Sequence, residues 1–271
     1  MKTDGQVAVL TGAGSGIGRA LALALARRGC HLALADIKAA SLAETAAEAA
    51  LLGVRVSQHA LDVAERTAVA ALPAAVLDTH GQVDLLINNA GVALGGLFEQ
   101  IAEADFDWLM EINFHGLVRM TRAFLPLLRD SPSAASRIVN ISSIYGIVAP
   151  PGQSAYSAAK FAVRGFSNAL RHELQGSKIG VTVVHPGGVA TAIARSARLP
   201  TGVPDGEIRE RLARVERLLR MPPARAAEII VRGIEGGRDR VIVGADARVA
   251  ALLERLFPVH YWRVLGRLVP H

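Results

Sequence analysis

Short hydrophobic segments alternate with longer segments of helical periodicity through the first 186 residues of the chain. The predicted strands are residues 6–11, 31–36, 54–59, 83–88, 137–142 and 179–185. The predicted helices are residues 16–28, 39–52, 65–80 (with a kink or restart at Pro73), 106–129 and 154–175. Mostly hydrophobic strands that alternate with helices are typical of a parallel sheet covered on both faces. The pattern therefore predicts an α/β fold with a doubly wound parallel sheet, whose ligands bind at the carboxyl ends of the strands.

Composition narrows the class of protein. The chain has 271 residues, 51% of them hydrophobic and 20% charged, which excludes intrinsic disorder and favours a single domain over residues 1–271. No hydrophobic run approaches the ~18 residues that a membrane-spanning helix needs, and no signal-peptide pattern begins the chain, so we expect a cytoplasmic protein. The net charge of +6 comes from scattered arginines, and aromatic residues make up 4%, so we expect no nucleic-acid partner. The single Cys30 and the absence of a His-x-x-x-His spacing support no metal site.

A glycine-rich turn follows the first predicted strand and precedes a helix. Its residues are Thr11, Gly12, Ala13, Gly14, Ser15, Gly16, Ile17 and Gly18. Glycines let a backbone turn tightly and approach a phosphate closely, and the helix N-terminus adds free N–H groups and partial positive charge. The spacing is Gly-x-x-x-Gly-x-Gly rather than Gly-x-Gly-x-x-Gly, and an ordinary strand–helix turn is the alternative. Several glycines at this position favour a pyrophosphate site.

Asp36 ends the second predicted strand, at the position where a dinucleotide site needs an acidic residue. Its carboxylate can accept hydrogen bonds from both hydroxyls of the adenosine ribose and would repel a 2′-phosphate. Neither Ser15 nor Ile37 is basic, so neither can compensate for that repulsion. The sequence therefore predicts NAD rather than NADP.

Tyr156 and Lys160 are four residues apart and share one face of a predicted helix. An ammonium group near a phenol lowers the phenol pKa from ~10, and such a phenol can exchange a proton with a substrate oxygen. Ser142 and Ser143 end the fifth predicted strand; we expect one to donate to the substrate oxygen and the other to cap the strand end. Asn113 either holds a water that links Lys160 to solvent or faces outward as an ordinary polar residue.

Together these features resemble the short-chain dehydrogenase/reductase family. The motifs that carry the resemblance, over residues 5 to about 195, are Thr11-Gly12-Ala13-Gly14-Ser15-Gly16-Ile17-Gly18, Asp62-Val63, Asn88-Asn89-Ala90-Gly91, Asn113, Ser143, Tyr156-x-x-x-Lys160 and Pro186-Gly187-Gly188-Val189-Ala190-Thr191. The resemblance implies a Rossmann domain that binds a nicotinamide dinucleotide and moves a hydride between it and the carbon of an alcohol or carbonyl.

The resemblance also implies a role for each matching residue. Tyr156 is the expected general acid/base, Lys160 holds the nicotinamide ribose and lowers the tyrosine pKa, Ser143 orients the substrate, and Asn113 completes a proton relay. The residues expected to bind the cofactor are Gly12, Gly14, Ser15, Gly16, Ile17, Gly18, Asp36, Ile37, Asp62, Val63, Asn89, Ala90, Gly91, Tyr156, Lys160, Pro186, Gly187, Val189 and Thr191. Within that set, Asp62 and Val63 are expected at the adenine, and Val189 and Thr191 at the carboxamide.

Residues 192–222 are predicted to form a lid over the substrate. The lid contains a loop at 199–206 and an amphipathic helix at 207–220, whose expected inward residues are Ile208, Leu212, Val215 and Leu219. Its arginines either meet an anionic substrate or form a solvated face, and their pairing with glutamates favours the second. The residues expected to line the substrate pocket are Ser143, Ile144, Tyr145, Val148, Gly188 and Ile193. This mostly apolar lining favours a hydrophobic secondary alcohol or ketone.

The C-terminal tail, residues 246–271, is rich in Leu, Val and Arg, with Tyr261 beside Trp262. It is suited either to a membrane surface or to a subunit interface, and the interruptions at Pro258 and Gly266 favour the interface. The resemblance implies a homodimer or homotetramer built on the helices at 106–129 and 154–175.

The leading hypothesis is an NAD-dependent alcohol dehydrogenase or ketone reductase. One alternative is a protein that binds a dinucleotide without turnover, which has no need for the set Ser143, Tyr156 and Lys160. The other is a membrane-associated reductase of lipids or acyl thioesters that uses the tail.

Overall fold

A computed structural model describes residues 2–200 and 203–268. The strands are β1 (Val7–Thr11), β2 (His31–Asp36), β3 (Val56–Ala60), β4 (Leu85–Asn88), β5 (Ser136–Ile141), β6 (Ile179–Pro186) and β7 (Arg240–Val243). The α-helices are α1 (Gly16–Ala26), α2 (Ala39–Ala50), α3 (Arg66–His80), α4 (Glu103–Met110), α5 (Leu117–Asp130), α6 (Ser154–Glu173), α7 (Asp205–Leu218), α8 (Pro223–Glu235), α9 (Ala245–Leu256) and α10 (Tyr261–Leu268). A π-helical segment (Glu111–Gly116) joins α4 to α5, and short 3₁₀ turns occupy Phe98–Gln100 and Ile144–Gly146.

The seven strands form one parallel sheet in the order β3-β2-β1-β4-β5-β6-β7. The chain builds outward from β1 to β3 and then returns to add β4 on the other side of β1. At such a reversal the loops leaving β1 and β4 diverge, and a crevice opens at their carboxyl ends. The predicted doubly wound α/β fold is confirmed, and the crevice is the natural place for a ligand.

Two hydrophobic layers cover the sheet, because nearly every residue of the central strands is buried and must pack against a helix. One layer contains α1, α2 and α8, with Leu21 and Ile230 fully buried. The other contains α3, α5 and α6, with Phe124 at its centre. Cys30 lies in the first layer with no exposed surface, and burial raises the pKa of its thiol to about 12.

Two predicted helices differ from those in the structure. The helix predicted at 106–129 begins at Glu103 and widens into the π-helical segment, which carries Asn113. Pro73 neither ends nor restarts α3, which runs through it from Arg66 to His80. A proline inside a helix removes one backbone hydrogen bond. The packing of Val69, Leu72 and Val76 against the sheet keeps this helix intact.

The region after Pro186 departs most from the prediction. The helix α8 and the strand β7 were not predicted, and α7 is displaced by two residues from the predicted 207–220. Val215 was expected to face inward but is 39% exposed, and Leu219 is half-buried. The side chains of Ile208 and Leu212, and residues 201–202 of the predicted loop, lie outside the described part of the chain.

The described part of the tail folds into two helices, α9 and α10. Pro258 lies between them, as predicted, but Gly266 lies inside α10 and does not interrupt it. Residues 269–271 are outside the description. Within residues 2–200 and 203–268, no helix is both long and apolar enough to span a membrane.

Candidate active site

Hydrogen bonds join the loops that follow β1 and β4. The hydroxyl oxygen of Thr11 accepts from the backbone N–H groups of Asn89 and Ala90, at 3.1 and 3.0 Å. Asn89 Nδ2 donates to the carbonyl oxygens of Thr11 and Gly12, both at 3.0 Å. A Cβ on Gly12 would lie 2.9 Å from Ala90 Cα, so only glycine allows this approach. Asn89 was predicted to line the cofactor, and its side-chain amide donates these two hydrogen bonds, which hold the first loop in place.

The glycine-rich turn is shaped by Asp36. The backbone N–H of Gly14 donates to Asp36 Oδ2 at 2.8 Å, and a Cβ on Gly14 would lie 2.6 Å from Ser41 Oγ. Gly16 has a φ of +54°, which favours glycine, and it begins α1. The first turn of α1 holds no acidic residue and Ser15 makes no side-chain capping bond, so the N–H groups at this helix start can bind an anion.

The residues predicted for the adenosine end lie together at the ends of β2 and β3. Asp36 Oδ1 accepts from the backbone N–H of Lys38 at 2.9 Å, so both carboxylate oxygens are oriented by backbone groups. The N–H of Leu61 donates to the carbonyl of Asp36 at 3.0 Å, which places residues 62–63 beside that strand end. Ile37 is 66% exposed at the same edge.

The two serines after β5 have separate partners. Ser142 Oγ is buried and donates to the carbonyl of Lys160 at 2.9 Å, which ties β5 to α6. Ser143 Oγ accepts from the backbone N–H of Tyr145 at 3.1 Å, and its own hydroxyl hydrogen stays available for donation. The ring of His185 donates from Nδ1 to the carbonyl of Ser143 at 2.9 Å. Ser142 is thus committed to joining β5 to α6, and the substrate-orienting role of Ser143 stays a prediction.

Tyr156 lies on the first turns of α6, where its ring meets that of Tyr145 edge to face with centroids 6.1 Å apart. Burial raises the pKa of Tyr156 to about 12; the polar hydroxyl of Ser143 lowers this pKa in part, and Tyr145 raises it. The sequence predicted a lowered pKa, and for this structure that prediction is wrong. Lys160 Nζ lies 5.6 Å from the centroid of the Tyr156 ring, and its charge does not outweigh the loss of solvation.

Lys160 and Asn113 meet beside Gly91. Lys160 is buried, its Nζ donates to the carbonyl of Ile141 at 3.1 Å, and burial lowers its pKa to about 8. Asn113 is also buried and forms two hydrogen bonds with the backbone of Val92, at 2.8 and 2.9 Å. The alternative of an outward-facing Asn113 is therefore wrong. A Cβ on Gly91 would lie 3.1 Å from Asn113 Oδ1 and 3.6 Å from Lys160 Nζ, so glycine keeps this junction open.

The loop after β6 returns toward the glycine-rich turn. β6 ends at Pro186, and a Cβ on Gly16 would lie 3.1 Å from the methyl group of Thr191. Val189 is buried and forms a bridge with Met221 at the end of the lid region. This loop therefore spans the crevice from the Ser143 side to the start of α1.

The predicted substrate lining is partly covered by the tail. Val148 is 3% exposed, and Ile144 and Tyr145 are half-buried. The cluster that contains these three residues also includes Ile147, Ala250, Ala251, Tyr261 and Leu265. Val148 is thus a contact of α9 and α10 rather than a free pocket wall, while Ile193 is half-buried in the lid region.

A buried network beneath the site was missed by the sequence analysis. Asn88 Nδ2 donates to Asn140 Oδ1 at 2.9 Å and to Thr121 Oγ1 at 3.1 Å, and Asn140 Nδ2 donates to Ser167 Oγ at 2.9 Å. The network connects β4 and β5 to α5 and α6. The available signal was a polar residue at the same register of two adjacent hydrophobic strands, where only a hydrogen-bonded partner makes burial acceptable.

Comparisons with known proteins agree with this geometry. The family model described as short chain dehydrogenase matches residues 6–201. The chain is 45% identical over 267 residues to the putative oxidoreductase SadH of Mycobacterium tuberculosis, covering 97% of this chain and 95% of that protein. It is 34% identical over 191 residues to the 3-oxoacyl-[acyl-carrier-protein] reductase FabG of Thermotoga maritima, covering 70% of this chain and 77% of that protein. A short-chain dehydrogenase/reductase from Burkholderia phymatum, solved in complex with NAD, aligns with a TM-score of 0.87 and 31% identity over 94% of this chain and 95% of that one. The chain belongs to the short-chain dehydrogenase/reductase family of oxidoreductases.

Proposed function

We propose that the protein transfers a hydride reversibly between NAD(H) and a hydrophobic secondary alcohol or ketone. The observation that carries the proposal is the convergence of Ser143, Tyr156 and Lys160 at the carboxyl end of β5. The Ser143 hydroxyl acts on the pKa of Tyr156, and Lys160 Nζ lies 5.6 Å from the centroid of the Tyr156 ring, so a hydroxyl, a phenol and a cation are grouped in a way that supports proton exchange with a substrate oxygen. A protein that only binds a dinucleotide has no need for that arrangement.

The crevice fits a dinucleotide. The start of α1, free of acidic residues, suits a pyrophosphate, and the glycines at 12, 14 and 16 keep side chains out of its path. Asp36 at the end of β2 suits the adenosine ribose, while Pro186, Gly187, Val189 and Thr191 border the opposite end of the crevice. When bound, the nicotinamide ring supplies the hydride acceptor or donor. The relative FabG and the neighbour from Burkholderia phymatum, named as a reductase and as an NAD complex, support the same assignment.

Tyr156 exchanges the proton with the substrate. Its raised pKa keeps the phenol protonated, which suits carbonyl reduction, where the phenol donates its proton to the substrate oxygen; in alcohol oxidation the phenol first loses its proton and its oxygen then accepts that of the substrate hydroxyl. Ser143 donates its free hydroxyl hydrogen to the same substrate oxygen. Lys160 holds positive charge beside the phenol and orients the nicotinamide ribose. Asn113 supports this group by fixing Val92, and because its amide is occupied there, a relay water would bond to the backbone of the π-helical segment.

Asp36 favours NAD over NADP. Its two oxygens are held by the N–H groups of Gly14 and Lys38, so the carboxylate cannot swing away from a 2′-phosphate. Ile37 offers no positive charge beside it. Turnover measured with the two cofactors in parallel tests this choice, and a tenfold preference for NADP would contradict it.

The decisive experiment replaces Tyr156 by Phe. We expect kcat to fall about a thousandfold, because the general acid/base is lost. The dissociation constant of NADH, measured by fluorescence titration, should stay within about twofold, since the phenyl ring retains the packing against Tyr145. Retention of most of the turnover would remove Tyr156 from the mechanism.

A panel of cyclic, aromatic and long-chain secondary alcohols, read by NADH absorbance, identifies the substrate class. Wild-type binding of NADH without turnover on any of these alcohols would favour the non-catalytic alternative.

We also propose that the protein is a homodimer or homotetramer that pairs through α5 and α6. Phe161 on α6 is 38% exposed, and a Cβ on nearby Gly165 would meet no atom within 4 Å, which leaves room for a partner helix. Light scattering measures the mass directly. Phe161→Glu should shift it to that of a monomer, and a wild-type monomer would contradict the proposal.

A second candidate function is a reductase that meets its substrate at a lipid surface. The outer side of α9 favours it, because Val249, Leu252 and Leu256 form one stripe that is 50 to 59% exposed. Arg248 and Arg255 flank the stripe and suit an anionic headgroup. Sedimentation with anionic vesicles separates the candidates: binding that is lost in Leu252→Ser/Leu256→Ser supports the lipid surface, and no binding excludes it.

A further inference from the structure

The start of α9 is hydrogen-bonded to the loop that follows β6. Asp246 Oδ2 accepts from the backbone N–H of Gly188 at 2.7 Å. Two glycines make room for this carboxylate: a Cβ on Gly187 would lie 2.3 Å from Oδ2, and a Cβ on Gly244 would lie 2.2 Å from Oδ1. Any side chain at either position would displace Asp246. The sequence therefore keeps a carboxylate-sized space at this point.

The same residue, Gly188, also holds the end of the lid through its carbonyl group. Its carbonyl oxygen accepts from the N–H groups of Arg220 and Met221, both at 3.0 Å. A Cβ on Gly188 would lie 2.1 Å from the carbonyl oxygen of Leu218, the last residue of α7. The backbone of one residue, Gly188, thus connects the tail, the loop on the nicotinamide side of the crevice and the lid.

A second contact joins the tail to the loop that carries Ser143. The hydroxyl oxygen of Tyr261 accepts from the backbone N–H of Ala149 at 2.9 Å. Around this bond, Tyr261 and Leu265 of α10 pack on the buried side chains of Ile147 and Val148. The tail therefore contacts both walls of the site, one through α9 and the other through α10.

We propose that Asp246 and Tyr261 are positioning residues for the reaction. Asp246 fixes residues 186–191 and the lid end on the cofactor side, and Tyr261 fixes residues 143–149 on the substrate side. The inference depends on the proposed function, because it assigns the two loops to cofactor and substrate. Both residues lie beyond residue 201, where the match to the family model ends, so they act from a part of the chain that the family motifs do not include.

The cofactor side is tested with Asp246→Ala, Asp246→Asn and the matched control Glu254→Ala, which removes a carboxylate two turns further along the same helix. We expect Asp246→Ala to raise the dissociation constant of NADH about tenfold and to speed amide exchange in residues 186–191 and 216–221. Asp246→Asn should stay within about twofold of wild type, because its Oδ1 can accept the same hydrogen bond. Glu254→Ala should change neither the dissociation constant of NADH nor the amide exchange.

The substrate side is tested with Tyr261→Phe, which removes one oxygen atom from a half-buried helix face and leaves the packing intact. We expect KM for the substrate to rise about fivefold, while the dissociation constant of NADH stays unchanged. This separates the two contacts, since Asp246→Ala should act on NADH and Tyr261→Phe on the substrate.

Three outcomes overturn the inference. The first is that Asp246→Ala lowers the melting temperature but keeps the wild-type NADH affinity and amide exchange. The second is that Asp246→Asn is as impaired as the alanine variant. The third is that Tyr261→Phe leaves KM for the substrate unchanged. A failure of the proposed function gives a different result, because the wild-type protein would then show no turnover, whether or not it binds NADH.

Discussion

The floor of the site and its outer wall are built in different ways. Beneath Tyr156 and Lys160, the amides of Asn88 and Asn140 are buried and hydrogen-bonded to helices on one face of the sheet. The outer wall is formed by the lid and tail, where Leu252, Leu256 and Val259 are 56 to 80% exposed. Two polar contacts from Asp246 and Tyr261 hold this wall against the site.

The difference shows where the chain tolerates change. A buried amide that loses its partner remains out of reach of water, so the whole cost of desolvation stays in the folded state. An exposed group that loses a partner is solvated again at little cost. We therefore expect substitutions in the floor to change stability, and substitutions in the outer wall to change binding and turnover while the fold persists.

The largest effect is expected from Asn140→Ala. It leaves Asn88 Nδ2 and Ser167 Oγ each without one hydrogen-bond partner in a buried place, which should lower the free energy of unfolding by about 3 kcal/mol. The matched control is Ser196→Ala in the lid, whose exposed hydroxyl bonds only to nearby backbone carbonyls. It should cost less than about 0.5 kcal/mol. Urea denaturation measures both, and equal costs would remove the contrast between floor and wall.

The next largest effect is a loss of stability when the pH is lowered. Burial lowers the pKa of both His80 and His185 to about 4, so the folded protein keeps these rings neutral at a pH where an unfolded histidine, with a pKa near 6.5, takes up a proton. Their contribution to stability is complete above pH 6.5 and is lost as the pH falls from 6.5 toward 4. From pH 7 to pH 5.5 we expect the two histidines together to lower the free energy of unfolding by about 2.5 kcal/mol. Urea denaturation at the two pH values measures it, and His80→Asn should remove about half of the loss; an identical pH dependence in that variant would contradict the assignment.

The smallest effect is expected on the preference between NAD and NADP, which concerns only the cofactor side of the site. Asp36→Ala should shift the ratio of kcat/KM for NAD to that for NADP about tenfold toward NADP, which corresponds to about 1.4 kcal/mol. The reason is that the carboxylate that repels a 2′-phosphate is gone. The control Glu44→Ala removes an exposed carboxylate of α2, which lies near Arg19 of α1, and it should leave the ratio unchanged. An unchanged ratio in Asp36→Ala would show that another residue sets the preference.

The sequence predicted the central sheet well because its strands carry a strong local signal. Each of the six predicted strands lies within two residues of an observed one. The strands inside the sheet are buried on both faces and must be mostly hydrophobic, whereas the edge strand β3 is only partly buried and was indicated by alternation. The serines, Tyr156 and Lys160 could be placed for a related reason: the ends of parallel strands meet at one edge of the sheet. The spacing of four on one helix then fixed the relation between the tyrosine and the lysine.

The remaining features depend on contacts that no local pattern encodes. β7 is an exception, because the Val-Ile-Val run at 241–243 carries a local strand signal that was overlooked in an edge strand of only four residues. The direction of Asn113 depends on the π-helical segment, and the raised pKa of Tyr156 depends on how completely its surroundings exclude water. The contacts of Asp246 and Tyr261 form only when the tail is packed on the site, so no local pattern indicates them.

The hidden thiol of Cys30 makes the protein a convenient subject for spectroscopy. The chain has one cysteine, and it lies sealed in the layer formed by α1, α2 and α8, almost wholly in its unreactive protonated form. A maleimide dye added to the native protein will therefore not react with Cys30. A cysteine introduced at the exposed Val259 would carry the dye alone, and its emission would report whether the turn between α9 and α10 shifts when a dinucleotide enters.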